Sequence, residues 1–329
     1  MSFSKLRLAA SAAFVLSVPA AASEFATTVV QFTPGPGANA SFPSSNVIGG
    51  PQGNGLGAGG LDVCVLGDGG SITLGFNVVI QDGPGADFMA YENGFVVGGG
   101  SSVFSEICHV EVSSDGVNFA RFPSAYHAPT GTQMGSFAGL LGGMPVLANV
   151  NTNTIPPEDP VRAGGEAFDL AELAGDPLVV AGTVDLNAIQ RVRLVDVLSG
   201  ETDSNGVAIP GGGAADPDAV TVINHPGTVT SNQPVCDLSI DAAGFLELRL
   251  GDPNGFFDLD LAKLRASLNL VEFPFTVALP AFVPTAFDGD VYTLRTIAPV
   301  MNQGITGAFA VSVEDFAGGF SGDQVMIQG

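Results

Sequence analysis

Past its first twenty residues, the chain carries its apolar residues in short runs, each cut by glycine, proline, asparagine or aspartate before a helical face can repeat. With 45 glycines and 22 prolines in 329 residues, these two residue types occur at roughly twice their average usage. Short alternating runs between turn residues are the signature of an all-β protein, and convincing helical periodicity is almost absent. Charged residues make up only 13% of the chain and mean hydropathy is +0.37, which argues against wholesale disorder.

The runs can be placed. Residues 71–76 read as a strand with Ile72, Leu74 and Phe76 on one face, and 88–91 as a short strand. Residues 109–114 run into Asp115-Gly116 and then 117–122, a pattern that predicts a tight hairpin, because a primed turn needs positive φ. Residues 190–197 form a strand with Val192, Leu194 and Asp196 on the same side, and 219–223 close the set. A short helix is expected at 169–174 and a turn at 186–189. The stretch 123–160, rich in Gly, Asn, Thr and Pro, is either a functional loop or locally structured. Residues 225–232 read as a linker. Beyond it, strands at 246–250, 266–270, 292–295 and 308–313 have the spacing of an immunoglobulin-like sandwich.

Residues 1–22 read as a signal peptide. Lys5 and Arg7 supply the positive start, an apolar stretch over 8–18 is too short to span a bilayer, and Pro19 precedes the small residues Ala20, Ala21 and Ala22. The mature protein is therefore expected to be exported: secreted, periplasmic or at the cell surface. The chain has 10 Lys and Arg against 33 Asp and Glu, a net charge of −23. That excludes nucleic acid as a partner, since phosphate binding needs a basic surface. It disfavours anionic membranes and leaves room for cations. No later apolar run reaches membrane length, so no membrane insertion is expected. Three cysteines, Cys64, Cys108 and Cys236, are too few for a disulfide framework. Cys64 and Cys108 lie in strand-like runs, and two readings stand: a disulfide, or two small buried apolar residues.

An ordered series of motifs runs through the first two thirds of the chain: Gly67-Asp68-Gly69-Gly70-Ser71-Ile72-Thr73-Leu74, Asp82-Gly83-Pro84-Gly85-Ala86-Asp87-Phe88, Tyr91-Glu92-Asn93-Gly94-Phe95, and the Val110 to Phe119 hairpin. Arg191-Val192-Arg193-Leu194-Val195-Asp196-Val197 and Asp216-Pro217-Asp218-Ala219-Val220 continue it. Over about residues 25–226 the series resembles a family of bacterial exported cell surface proteins, and the hairpin and the 191–197 strand resemble galactose-binding-like jelly rolls. Residues 260–269 and 311–319 resemble parts of bacterial Ig-like repeats. The resemblance implies an all-β chain: a jelly-roll-like β-sandwich over 23–226, then a smaller Ig-like β-sandwich over 227–329. It also implies a binding role, which in some members of the family is associated with corrinoid uptake at the bacterial surface. The chain departs from the family in showing no C-terminal sorting or anchoring segment.

Two groups of oxygen-bearing side chains stand out. One is Asp196, Glu201, Asp203, Asn205, Asp216 and Asp218; the other is Asp82, Asp87, Glu92 and Asn93. Paired acids in glycine-rich turns suit the six to eight oxygen ligands of Ca²⁺, and loops at one end of a jelly roll converge, so both groups are expected to feed one structural calcium site. The competing reading is solvated turn acids. Catalysis is disfavoured. His109, His127 and His225 form no zinc-type pair, and no G-x-S-x-G elbow occurs. Glu92, Glu111 and Asp115 offer carboxylates for a secreted carbohydrate-active hydrolase, the alternative function, although Glu111 falls on the polar side of its strand. The favoured function is a non-catalytic binding or adhesion module, whose partner would be a glycan, a corrinoid-type small molecule or a surface protein. Tryptophan is absent, so stacking on a ligand would fall to Tyr91, Phe95, Phe104, Tyr126 or Phe137.

Overall fold

The alternating runs become β-strands in the computed structural model, which describes residues 24–100, 102–127, 132–210, 213–228, 232–301 and 306–327. The predicted signal peptide lies outside these residues. The first half contributes β1 (Ala26–Thr33), β2 (Ser71–Ile80), β3 (Phe88–Glu92), β4 (Cys108–Ser113), β5 (Glu166–Phe168), β6 (Ile189–Asp196) and β7 (Pro217–Val222). One antiparallel sheet has the order β1-β2-β6-β4, extended by Leu140–Leu141 and Ala120–Arg121 on β4; a second has the order β5-β3-β7. Every second residue of a strand points the same way, so Ile72 and Leu74, Val110 and Val112, and Val192 and Leu194 line one face of the first sheet. They meet Phe88, Ala90, Phe168, Val220 and Val222 of the second in one buried cluster. The rings of Phe88 and Phe168 stack at 5.2 Å, and Phe122 packs edge-on against both.

β3 is buried on both faces. Its Met89 and Tyr91 face a second cluster with Val146, Ala148, Ala163 and Ala219. The glycine- and proline-rich stretch explains this. It is locally structured, pairing Phe137–Ala138 with Ala125–Tyr126 and bridging Val146 to Gly164, and it covers the outer side of β3. The expected tight hairpin at Asp115-Gly116 is wider than a two-residue turn: Val112 pairs with Ala120 and Glu111 with Arg121. The cause is Asp115, whose Oδ1 accepts from the backbone N–H of Val117 and Asn118 and from Ser113 Oγ. Glu111 is not an exposed acid. It is buried and clamped between Arg121 and Arg193.

The second half adds β8 (Val235–Ile240), β9 (Leu246–Gly251), β10 (Arg265–Leu268), β11 (Val271–Pro274), β12 (Phe282–Phe287), β13 (Val291–Thr296), β14 (Gly307–Glu314) and β15 (Phe320–Ile327). They form two antiparallel sheets, β8-β9-β13-β12 and β11-β10-β14-β15. Leu238, Leu248, Leu250 and Leu294 from one share a core with Ala266, Phe309, Val311 and Val313 from the other. The run at 266–270 is not all strand. Asn269 and Leu270 take φ of 51° and 64°, the two positive values a type I′ turn demands, and they join β10 to β11. Hydrogen bonds from backbone N–H groups tie the halves together. Ala86 N–H donates to Gly322 carbonyl at 3.0 Å, and Gly85 N–H donates to Asp237 Oδ1 at 2.6 Å. Among the described residues the helical elements are each three or four residues long, such as Leu170–Leu173, capped by Asp169, which accepts from Ala171 N–H. No helix among the described residues is long and apolar enough to cross a membrane.

Candidate metal centre

Antiparallel pairing gathers strand ends. β3 finishes at Glu92 opposite Pro217, the first residue of β7. β5 starts at Glu166, whose partner is Ala90. β6 finishes at Asp196 opposite Cys108, the first residue of β4. Asp216 precedes β7, and Glu106 precedes β4. Five carboxyl groups thus lie near one end of the two sheets, around Cys108, with no three of them bringing ligand oxygens within 4.8 Å of one another. That thiol is pushed well up by burial and then by the charges of Glu92, Asp196, Glu166 and Asp216.

The backbone fixes one oxygen of Glu92 and one of Glu166 and leaves the other free. Glu92 is 1% exposed; its Oε1 accepts from Asp216 N–H at 3.2 Å, and its Oε2 has no partner. Glu166 is 2% exposed; its Oε1 accepts from the N–H groups of Gly142 and Gly143 at 3.2 and 2.6 Å, and its Oε2 has no partner. Asn93 Oδ1 and Asp216 Oδ1 are likewise buried without partners. Asp196 is satisfied by Gly69 and Ala215 N–H. Glycines make the space. A Cβ on Gly142 would sit 2.2 Å from the Glu106 carbonyl oxygen and 3.3 Å from Glu92 Oε2, and one on Gly213 would overlap Glu106 Oε1.

The charges repel. Burial pushes Glu166 up to about 8. Burial, then Asp216 and Asp196, pushes Glu106 up to about 7. Burial also pushes Asp216 up to about 6, although a hydrogen bond from Asn93 opposes it. Glu92 is raised by burial, then by Glu106, Asp216 and Glu166. No protein cation answers them among the described residues. The ion pairs of Arg121, Arg162, Arg193, Arg249, Lys263, Arg265 and Arg295 lie elsewhere, and Arg191 bonds the Gln190 carbonyl. Buried carboxylates without a counter-ion stay charged only at a large desolvation cost. Two species relieve that cost: protons, or a hard cation with oxygen ligands.

Of the sequence-predicted ligands, Glu92, Asn93, Asp196 and Asp216 come together here. Asp82 and Asp87 do not join them. They lie at the start of β3, a five-residue strand away from Glu92 and Asn93, or about 16 Å at strand rise. They gather instead with Asp169, and Asp87 is saturated by Gly83 N–H, Leu170 N–H and Asn224. Asp203 closes its own turn, accepting from Asn205, Val207 and Tyr126 N–H, while Asn205 is exposed. Glu201 pairs with His109 at 2.9 Å. Both oxygens of Asp218 accept from Gln52 N–H. Sequence reasoning missed Glu106 and Glu166. Glu106 stands three residues before the strand predicted at 109–114; Glu166 stands in a three-residue strand that no alternation marks.

All three cysteines are free and buried, and Cys64 and Cys108 are small residues of the main core. Of the candidate stacking residues, Tyr91 and Phe137 are core, and Tyr126 stacks on Phe137. Phe95 and Phe104 stack on each other at 5.2 Å, and Phe104 is 48% exposed, on a hairpin that begins three residues after Glu92. No protein-family model matches the chain, and no curated protein is similar enough to it to count as a match.

Proposed function

We propose that the chain is a non-catalytic exported binding or adhesion module whose first half is stabilised by Ca²⁺, held by Glu92, Asn93, Glu106, Glu166 and Asp216. The observation that carries this reading is the set of four buried oxygens without partners, Glu92 Oε2, Asn93 Oδ1, Glu166 Oε2 and Asp216 Oδ1, in a place no arginine or lysine reaches. The oxygen donors suit Ca²⁺, and burial holds the neighbouring Cys108 thiol protonated, so it offers zinc no thiolate. The burial of Glu92 and Glu166 supports binding over hydrolysis, because a glycosidase carboxylate must touch its substrate.

In this reading residues 1–22 are a signal peptide, 23–226 a jelly-roll-like sandwich and 227–329 an Ig-like sandwich, as in the bacterial cell surface proteins that the motif series resembles. The cation orders the strand ends that lead into the Phe95–Phe104 hairpin, and the exposed Phe104 ring is the surface for a glycan or a corrinoid-type ligand. Calorimetric titration of the mature protein with Ca²⁺ after EGTA treatment tests the metal: saturable binding lost in Glu166→Gln is expected, and no heat in the parent overturns it. A glycan and corrinoid screen with the parent and Phe104→Ala tests the ligand surface. Loss of a hit at an unchanged melting temperature is expected.

A further inference from the structure

A second acidic group lies in the other half of the molecule, outside the site described above. β9 ends at Gly251 and runs into Asp252-Pro253-Asn254-Gly255, then a single 3-10 turn, Phe256–Asp258. β14 ends at Glu314 and is followed by Asp315. The two segments are locked together. Leu259 bridges Asp315, Asp260 N–H donates to the Glu314 carbonyl at 2.8 Å, and Phe316 N–H donates to the Asp258 carbonyl at 3.0 Å. As a result one carboxylate oxygen from each of Asp252, Asp258 and Asp315 lies within 4.8 Å of the other two.

Asp252 is 0% exposed. Its Oδ1 accepts from Asn254 N–H at 2.7 Å, and its Oδ2 is buried with no hydrogen-bond partner. Asp315 is buried too, with Oδ1 accepting from Gly319 N–H at 2.7 Å; a Cβ on Gly319 would sit 2.6 Å from its Oδ2, so the glycine leaves that oxygen its space. Among the described residues no lysine or arginine pairs with the three acids. The nearest in sequence, Arg249, Lys263 and Arg265, are engaged by Asp237, Glu314 and Glu272. Asn254 and Asp315 also line a surface cleft of about 440 Å³, which reaches the Asp315 side of the group.

We propose that Asp252, Asp258 and Asp315 form a second divalent-cation site, for Ca²⁺, with Asp252 Oδ2 as its innermost ligand. Carboxylates carried by a short glycine-containing turn and an adjoining strand end give the adaptable all-oxygen set that Ca²⁺ accepts, whereas Mg²⁺ demands near-ideal octahedral geometry. Because β9 and β14 belong to different sheets of this half, the ion cross-links the two sheets at one end.

The test is equilibrium dialysis of the mature chain with radioactive Ca²⁺. Asp252→Asn and Asp315→Asn each keep the oxygen that caps its turn, and each is expected to bind one ion fewer than the parent or to weaken one class of site at least tenfold. Asp258→Asn, at the less buried ligand, reads the same site should either of the others not fold. Asp260→Asn, whose Oδ1 caps the next turn, should bind like the parent. Unchanged stoichiometry and affinity in Asp252→Asn, Asp315→Asn and Asp258→Asn overturns the proposal, as does a parent that binds no Ca²⁺. Glu166→Gln reports the first-half site alone: a loss there with none in the three aspartate variants leaves the first site standing and removes this one, and the reverse result does the opposite.

Discussion

The two acidic clusters are built in opposite ways. In the first half the carboxylates arrive from separate strand ends, from Glu92 to Asp216, and meet only when both sheets have formed. In the second half Asp252 and Asp258 belong to one local turn, and only Asp315 comes from afar. A composite cluster reports on the whole fold, since its repulsion is imposed by the assembled sheets. A local cluster is close-spaced even in a partly unfolded chain, so less of its repulsion is created by folding. The cores differ as well: an aromatic trio around Phe88 joins the sheets of the first half, whereas leucines dominate the second.

The harshest way to break this comparison is to remove the aromatic trio. Phe88→Ala deletes a fully buried ring touching Phe122 and Phe168 and is expected to cost about 3–5 kcal/mol. If the halves have independent cores, calorimetry should show one transition moved and a second, from the 227–329 segment, left in place. A single transition that moves as a whole would show that contacts such as Ala86 to Gly322 and Gly85 to Asp237 make the two halves one cooperative unit.

Removing calcium should act next most strongly. At a Ca²⁺ concentration a hundredfold above Kd, each proposed site should contribute about 2.7 kcal/mol, and EGTA should abolish that gain. The composite cluster predicts that Glu166→Gln cancels the calcium response of the first-half transition and leaves the second unaffected. An equal loss in both transitions would contradict the separation of the two sites.

The pH response sharpens the same point. Glu166, Glu106 and Asp216 are pushed up to about 8, 7 and 6 in the folded protein, against about 4 in an unfolded chain. A carboxyl raised on folding binds its proton more tightly in the native state. Without calcium, its native state is therefore favoured at low pH and loses ground as pH climbs from about 4 through 6–8. The melting temperature in EGTA should fall between pH 5 and pH 8. With Ca²⁺ present the fall should shrink or vanish, because the cation replaces the protons and binds better as they leave. A melting temperature in EGTA that holds or rises over this range would mean that the cluster is not strained by charge.

Much of this was legible in the residues. Period-two alternation placed the strands of β2, β4, β6 and β14 to within a few residues, because each buries one face against a core. It failed where pairing alone defines the strand. β5 is three residues long, and nothing in Glu166-Ala167-Phe168 distinguishes it from a loop until β3 pairs with it. The calcium reading drew Glu92, Asn93, Asp196 and Asp216 from local oxygen density, and topology brought those four together. It also drew Asp82 and Asp87, which the length of β3 carries to the other end, and Asp203, whose oxygens its own turn consumes. Density of acids along a chain reflects turns as readily as ligands; which oxygens remain free is decided by backbone N–H groups that only the fold positions. The Asp252 turn, with its buried free oxygen, went unread for the same reason.

Asp203 provides the smallest effect and the cleanest contrast with the unpartnered carboxylates. Burial raises it, yet the backbone N–H groups of Tyr126, Val207 and Asn205 outweigh burial and hold it below the usual carboxylate range. A carboxyl lowered on folding contributes stability above its unfolded value near 4, and that contribution is lost as pH falls, the reverse of Glu166. Asp203→Asn keeps one acceptor oxygen and removes the charge that strengthens three hydrogen bonds, so it should cost about 1 kcal/mol at pH 7. Parent and variant should converge only as pH falls through the lowered folded value of Asp203. Calcium binding should be unchanged in number and affinity, because no oxygen of Asp203 is left to give. A variant that loses a bound Ca²⁺ would return Asp203 and Asn205 to the ligand set and make the loop at 201–207 part of the metal centre.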